Sequence, residues 1–266
     1  MKQDGMRTES DSMGKLEVPH TAYYGGNTRR AELNFPISDL RFGRSFIKAV
    51  SQIKQASAKV NKELNTLDPH IADVIIDAAE RVMNGDFDKE FVVDIFQTGS
   101  GTSTNMNANE VIANLASKYS KIKISPNDDV NMSQSSNDVI PTVMNCSFHC
   151  DLAKKLIPAL NFLIQTIEKK ASQVAGTVKT GRTHLMDAMP IDMSQELLAW
   201  SSQLKTSKDS LLIVMEKLSF MPQGGTAVGT GINCPKNFDK IFCKYLSQLI
   251  KYKFLPASNK FESIAT

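Results

Sequence analysis

The polar side chains best suited to chemistry lie in residues 125–141, where hydroxyl, amide and carboxylate groups precede an apolar helical pattern. Ser135, Ser136 and Asn137 fall where that helix is predicted to begin. Side chains at a helix start can cap free backbone N–H groups, or they can join those groups in binding an anion. One cap does not require the unbroken Ser-Ser-Asn-Asp run, so capping and anion binding are both retained as interpretations.

Residues 98–107 form a second polar segment, rich in small and hydroxyl side chains and placed ahead of another predicted helix. Such a segment can present N–H groups and hydroxyls to a carboxylate or a phosphate. It lacks the Gly-Lys-Ser/Thr ending that a nucleotide-binding Walker loop requires. A plain glycine-rich turn is the alternative interpretation.

The predicted loop over residues 180–190 holds one of the four histidines of the chain. A lone histidine is more often a structural hydrogen-bonding group than a catalyst. His184, however, is surrounded in the sequence by Thr183, Arg182 and Asp187. Because imidazole transfers protons efficiently near neutral pH, His184 is a candidate catalytic residue.

Composition excludes several functional classes. The net charge of +3 comes from 31 basic and 28 acidic residues that are interspersed, so nothing indicates a nucleic-acid or membrane partner. Apolar runs are too short to span a bilayer, which predicts a cytoplasmic protein, with residues 1–5 as a disordered leader. Cys146, His149 and Cys150 supply too few ligands for zinc, so buried free thiols and no metal are predicted.

Apolar residues at spacings of three, four and seven predict the long helices that must position these segments. The predicted helices cover about residues 38–67, 71–84, 107–119, 140–173, 193–220 and 237–252. Pro158 is expected to kink the fourth of them. Few strand signals occur, so the prediction is an all-α fold, with an N-terminal domain over residues 1–134 and a helical bundle over residues 135–266. Helices of this length usually pack against other subunits, and a monomeric bundle is the alternative.

Sequence blocks in a known order connect these segments to a family. They read Gly99-Ser-Gly-Thr-Ser-Thr-Asn-Met-Asn-Ala-Asn-Glu, Ser133-Gln-Ser-Ser-Asn-Asp and Gly181-Arg-Thr-His-Leu-Met-Asp-Ala. Together they resemble class II fumarase of the fumarase/aspartase superfamily. The resemblance covers nearly the whole chain, from Asp11-Ser-Met-Gly to Asn259-Lys-Phe-Glu-Ser-Ile-Ala.

This resemblance implies an all-helical homotetramer in which each active site is assembled from several chains. It implies the reversible addition of water to fumarate, a small dicarboxylate, to give (S)-malate without a metal or an organic cofactor. By resemblance, Ser100 and Thr102 hold a substrate carboxylate and residues 135–137 hydrogen-bond the substrate. Thr183 and His184 then form the third wall, with His184 holding the water that enters or leaves.

Two other functions remain open from the sequence. Aspartase, which eliminates ammonia from aspartate, belongs to the same superfamily, but enzymes of that type carry Gln in place of His184 and Thr in place of Ser136. Both positions therefore favour fumarase. A non-catalytic helical scaffold is the other alternative, although packing alone requires neither the serines nor the histidine.

The sequence departs from the family at two places. The superfamily signature Gly-Ser-Ser-x-Met-Pro-x-Lys-x-Asn is not among these residues and the sequence ends at Thr266, so we expect a C-terminally truncated fragment that has no hydratase activity alone. The accessory dicarboxylate site of fumarases usually reads His-Pro-Asn-Asp. Asn127 and Asp128 are present as a candidate accessory site, but Ser125 replaces the histidine.

Overall fold

A computed structural model of the chain describes residues 5–11 and 13–265. It divides into two compact units, the first formed by Met1–Ser147 with Ser219–Thr266 and the second by Phe148–Leu218. Residues 1–4 of the expected leader lie outside the described residues. The domain boundary after residue 134 stays a prediction.

The described residues are mainly helical, which confirms the predicted fold class. The helices are α1 (Gly26–Asn34), α2 (Arg44–Glu63), α3 (Pro69–Asn84), α4 (Thr102–Ser120), α5 (Ser136–Asp151), α6 (Ile157–Val174), α7 (Met193–Lys217), α8 (Phe238–Ile250) and α9 (Lys260–Ala265). The strands are β1 (Met6–Asp11), β2 (Gly14–Pro19), β3 (Val178–Thr183), β4 (Met186–Asp192), β5 (Phe220–Met221) and β6 (Leu255–Pro256). They pair as β1 with β2 and β3 with β4, both antiparallel, and as β5 with β6, parallel. Within the described part of the chain, no helix is both long enough and apolar enough to cross a membrane.

Helix α2 forms the core of the first unit, where it packs against α3, α4 and α8. Val50, Ile53 and Val60 on this helix are fully buried, as the apolar spacing predicts. Burying one such side chain contributes about 1.5–3 kcal/mol to the free energy of unfolding. The packing of α2 therefore fixes the positions of the elements around it.

The helix predicted over residues 38–67 is shorter in the structure, because α2 begins only at Arg44. Upstream of α2, the backbone N–H and the hydroxyl of Ser38 both donate to the carboxylate of Asp94. Asp94 is buried. These bonds hold the preceding segment outside the helix, since they offer its backbone an alternative to helical hydrogen bonds.

The ends of α3 follow ordinary capping chemistry. The carboxylate of Asp68 accepts hydrogen bonds from the N–H groups of His70 at 2.8 Å and Ile71 at 3.2 Å, and Pro69 occupies the first turn. Gly85 ends the helix with a φ of 102°, which a residue with a side chain adopts at a cost. The predicted end of this helix near residue 84 is confirmed.

Apolar spacing does not predict helix α1, because its residues carry no apolar period. Its first turn is held by Glu110 of α4, whose side chain is buried. The carboxylate accepts the N–H groups of Gly25 at 2.8 Å, Asn27 at 2.9 Å and Thr28 at 3.0 Å, and the Thr28 hydroxyl at 2.6 Å. A group distant in sequence therefore satisfies the free N–H groups of α1.

In the second unit, α6 and α7 pack against each other. Two polar residues of α7 have partners on α6 across this contact. The Ser201 hydroxyl donates to Glu168 at 2.9 Å, and the Lys208 ammonium donates to Asn161 at 3.1 Å. Beside this pair, the Lys205 ammonium and the Ser201 hydroxyl lower the pKa of the Glu168 carboxyl.

The irregularity expected from Pro158 lies at the start of α6. Residues Leu152–Leu156, immediately before α6, form a π-helical turn with wider hydrogen bonds than an α-helix. Pro158 lies in the first turn of α6, where its missing N–H is tolerated. The helix predicted over residues 140–173 is therefore interrupted in the structure.

Replacing Glu110 with Gln tests the buried carboxylate that starts α1. The amide retains the size of the side chain, but its NH2 group faces N–H donors, so we expect the free energy of unfolding to fall by about 2–4 kcal/mol. Urea unfolding measures this loss as a lower midpoint. Glu80→Gln on the exposed side of α3 is the matched control and should change the midpoint little. Equal midpoints for both variants would contradict the role of Glu110.

Candidate functional site

Helix α5 begins at Ser136, as the sequence predicts. The backbone N–H of Ser135 donates to Asp138 Oδ1 at 2.9 Å, and the N–H of Asn137 donates to Ser135 Oγ at 3.3 Å. Ser135 thus caps the second helical position with its side-chain oxygen, and Asp138 at the third position accepts the N–H of Ser135 in return. Ser135 therefore does cap the helix, because its side-chain oxygen accepts a backbone N–H group.

Capping does not use all the hydrogen-bonding capacity of these side chains. Ser135 and Ser136 are each partly exposed. The oxygen of Ser136 accepts from the side-chain amide of Asn105 at 2.9 Å, while the amide of Asn137 donates to the carbonyl of Ala227 at 2.7 Å. Both serine oxygens thus act as acceptors toward the protein, and each hydroxyl retains its own proton for another acceptor.

The segment before α4 packs directly on α5. Gly101 has a φ of 66°, and a Cβ atom added to it would lie 2.9 Å from Ile140 Cγ1 on α5. A side chain at this position is therefore excluded both by backbone conformation and by space. The turn places Ser100 and Thr102 in the same unit as Ser136, with their two hydroxyl oxygens 2.8 Å apart and exposed.

Gln97 holds the other side of this turn. Its amide NH2 donates to the Thr104 hydroxyl at 2.7 Å, and its carbonyl oxygen accepts the Thr104 N–H at 2.9 Å. Thr104 is buried in α4. The turn that carries Ser100 and Thr102 is therefore held in place by the packing of Gly101 and by the hydrogen bonds of Gln97.

Asp138 joins α5 to the glycine-rich loop that follows β5. Its Oδ2 atom accepts the N–H groups of Gly224 at 3.0 Å and Thr226 at 2.8 Å. The carboxyl group is fully buried, and burial raises its pKa, whereas the backbone N–H groups and the charge of Lys54 act in the opposite direction.

Lys54 of α2 is the second buried ionisable group near the start of α5. Its ammonium donates to Asn131 Oδ1 at 2.9 Å and to Gln134 Oε1 at 3.1 Å. Burial lowers the pKa of Lys54 to about 7, and Asp138 acts in the opposite direction. Desolvation is the largest cause for both groups, so burial favours their neutral forms.

Sequence reasoning missed Lys54, Asn105 and Asp138 as parts of this region. A signal for Lys54 was present, since it follows Val50 by one helical turn and Asn61 follows it by two, on the side of α2 predicted to be apolar. Polar residues at core positions require hydrogen-bond partners. Those partners, however, lie in segments far along the chain and are visible only in the fold.

Residues 180–190 form a hairpin rather than the predicted loop. Strands β3 and β4 pair with a register shift at Gly181, where an added Cβ would lie 2.7 Å from the Met189 carbonyl oxygen. Gly181 therefore marks a bulge in the hairpin. His184 and Leu185 form the two-residue tip with φ values of 49° and 60°.

The tip of this hairpin presents Thr183 and His184 on exposed backbone. Arg182 and Asp187, which flank the tip, form an exposed ion pair with Nε 3.3 Å from Oδ1. Thr183 and His184 belong to the second unit, whereas the serines and Asn137 belong to the first.

The candidate accessory site lies in the π-helical turn Pro126–Val130. Ser125 caps this turn, since its oxygen accepts the N–H of Asp128 at 3.1 Å. The Asn127 amide donates to Asp128 Oδ1 at 3.2 Å, and both side chains are exposed. Ser125 thus has a local structural role, and dicarboxylate binding at Asn127 and Asp128 stays a prediction.

Comparisons with known proteins give a consistent result. A family model described as "Lyase" matches residues 14–266. A class II fumarate hydratase from Xylella fastidiosa is 50% identical over 98% of this chain and 55% of its own length. A second one, from Pseudomonas aeruginosa, is 46% identical over 98% of this chain and 57% of its own length.

Solved structures agree with these relatives. The crystal structure of class II fumarase from Schistosoma mansoni superposes with a TM-score of 0.93 at 37% identity, covering 97% of this chain and 59% of that one. The chain thus spans somewhat more than half the length of the proteins it matches. It belongs to the lyase family, and the resemblance of its motifs to class II fumarase is confirmed.

Proposed function

We propose that this chain supplies much of the active site of a fumarate hydratase, which reversibly adds water to fumarate to give (S)-malate. The observation that carries the proposal is the polar cluster at the start of α5, where Ser135 and Ser136 keep their hydroxyl protons after capping. The packing of Gly101 on Ile140, with Ser100 and Thr102 on either side of that glycine, supports it. The names of the relatives support the choice of fumarate as substrate.

The donors proposed for the substrate are hydroxyl and amide groups. In this proposal, Ser100 and Thr102 bind one carboxylate of fumarate, while residues 135–137 bind the rest of the molecule. A proton next to a carboxylate is only weakly acidic, so its removal needs a base and fixed donors that stabilise the negative charge as it develops. Neutral donors provide this stabilisation and still permit the dianionic product to leave.

His184 is proposed to hold the water that is added or removed, with Thr183 beside it. Imidazole accepts a proton from water during hydration and returns it during dehydration. These steps use side chains alone, so the proposal includes no metal and no organic cofactor. A cytoplasmic location is part of the same proposal.

A homotetramer is proposed for the working enzyme, with each site built from more than one chain. The support is the surface of the second unit, where large apolar side chains of α6 and α7 are open to solvent. Phe162 is 73% exposed, Trp200 50% and Ile213 60%. Large apolar side chains that are exposed in one chain are often covered by protein association.

The substrate is tested with protein expressed from the complete coding sequence that includes these residues. We expect it to consume fumarate in buffer free of ammonium, measured as loss of ultraviolet absorbance of the double bond. The 266-residue chain alone is the comparison and is expected to show no turnover. Turnover that appears only with ammonium or with aspartate would instead identify an aspartase.

The role of His184 is tested by His184→Asn in the same complete protein. Removal of a positioned acid–base group is expected to lower kcat by about 10²–10⁴-fold. His70→Asn, at another exposed position, is the matched control and should retain full turnover. Light scattering should show unchanged assembly of both variants. Equal turnover of the two variants would contradict the catalytic role of His184, whereas no fumarate turnover by the unaltered complete protein would favour the non-catalytic scaffold.

A further inference from the structure

Asn105 lies directly behind the polar cluster at the start of α5. It is on α4, one turn after the exposed hydroxyl of Thr102, and its side chain is only 1% exposed. Its amide NH2 donates to Ser136 Oγ at 2.9 Å and to Asn131 Oδ1 at 3.1 Å. Both N–H groups of this amide therefore donate hydrogen bonds, and one of them donates to the hydroxyl oxygen of Ser136, a candidate substrate-binding residue.

The direction of these hydrogen bonds is fixed by the orientation of the Asn131 amide. A backbone carbonyl only accepts, so the atom of Asn131 that lies 3.3 Å from the carbonyl of Gln134 must be its NH2 nitrogen. The other atom, the Asn131 oxygen, then accepts from the Lys54 side chain at 2.9 Å. With Asn131 oriented in this way, the group that Asn105 directs at the same oxygen must be its NH2.

The consequence reaches the surface at Ser136. Because Asn105 donates to Ser136 Oγ, the Ser136 hydroxyl cannot donate back along that bond, and its proton must point elsewhere. Ser136 is partly exposed, so an acceptor outside the protein can take that proton. The Asn105 carbonyl oxygen is buried and has no hydrogen-bond partner among the described residues. This orientation of the amide therefore costs the free energy of removing that oxygen from water.

We propose that Asn105 is a positioning residue, which makes the Ser136 hydroxyl a donor directed at a substrate carboxylate. Asn131 sets the direction of the whole series, because the backbone carbonyl of Gln134 fixes the orientation of its amide. The inference rests on the proposed function for the identity of the substrate, but the direction of the hydrogen bonds is a property of the protein alone. Asn105 does not itself touch the substrate in this proposal.

A double-mutant cycle with the complete protein measures the effect on ligand binding. The probe is succinate, a four-carbon dicarboxylate without the reactive double bond, and its dissociation constant is measured by calorimetry. We expect Asn105→Leu to weaken binding by about 10- to 100-fold when Ser136 is present, the range for one hydrogen bond to a charged group. In the Ser136→Ala background the same change should weaken binding by less than about threefold.

Asn107→Leu is the matched control. Asn107 lies on the same helix, is also 1% exposed, and donates its amide to the Glu90 carbonyl at 2.9 Å, away from Ser136. Its replacement should lower stability while leaving succinate affinity unchanged. An equal loss of affinity from Asn105→Leu with and without Ser136 would overturn the inference, since the residue would then act only through stability.

Neutron diffraction of the deuterated, unaltered protein tests the direction without any activity or any variant. The deuterium on Ser136 should point away from Asn105, and a deuterium lying between Ser136 Oγ and the Asn105 side chain would overturn the inference. A protein that neither hydrates fumarate nor binds succinate, but has this deuterium directed outward, would refute the proposed function. In that case the positioning of the hydroxyl by Asn105 would stand.

Discussion

The first unit depends on pairing buried carboxylates with backbone N–H groups from elsewhere in the chain. Asp138 is the central example, because one side chain accepts the N–H of Ser135 at the start of α5 and also binds the N–H groups of Gly224 and Thr226. A carboxylate removed from water without such partners would cost several kcal/mol. With them, the same group fixes a helix start and a loop at once.

Glu110 is a second buried carboxylate in this unit that pairs with backbone N–H groups. Its carboxylate receives the N–H groups that begin α1, so a short helix without an apolar period is stable where α4 presents this side chain. Both carboxylates act on residues far along the chain. The local sequence therefore permits a helix to begin at these positions, and the tertiary contacts stabilise it there.

This distinction explains which features the sequence could predict. Helices α2, α3 and α7 follow from apolar spacing, and the start of α5 follows from the serines that precede it, because both kinds of signal are local. Helix α1 and the hairpin β3–β4 were missed, since one needs Glu110 and the other needs strand pairing across Gly181. The candidate serines could be found from motifs, whereas Lys54 and Asn105 became visible only when the fold brought α2, α4 and α5 together.

The hairpin tip shows a choice that turn stability does not explain. Two-residue hairpin tips with positive φ at both positions favour Asn-Gly, because most other side chains adopt such angles at a cost. His184 and Leu185 adopt them here, and Leu185 is 97% exposed, so burial of its side chain does not repay that cost within this chain. Strain of this kind persists where a side chain is needed for something other than folding. The proposed role of this tip in the active site would account for the choice of residues there.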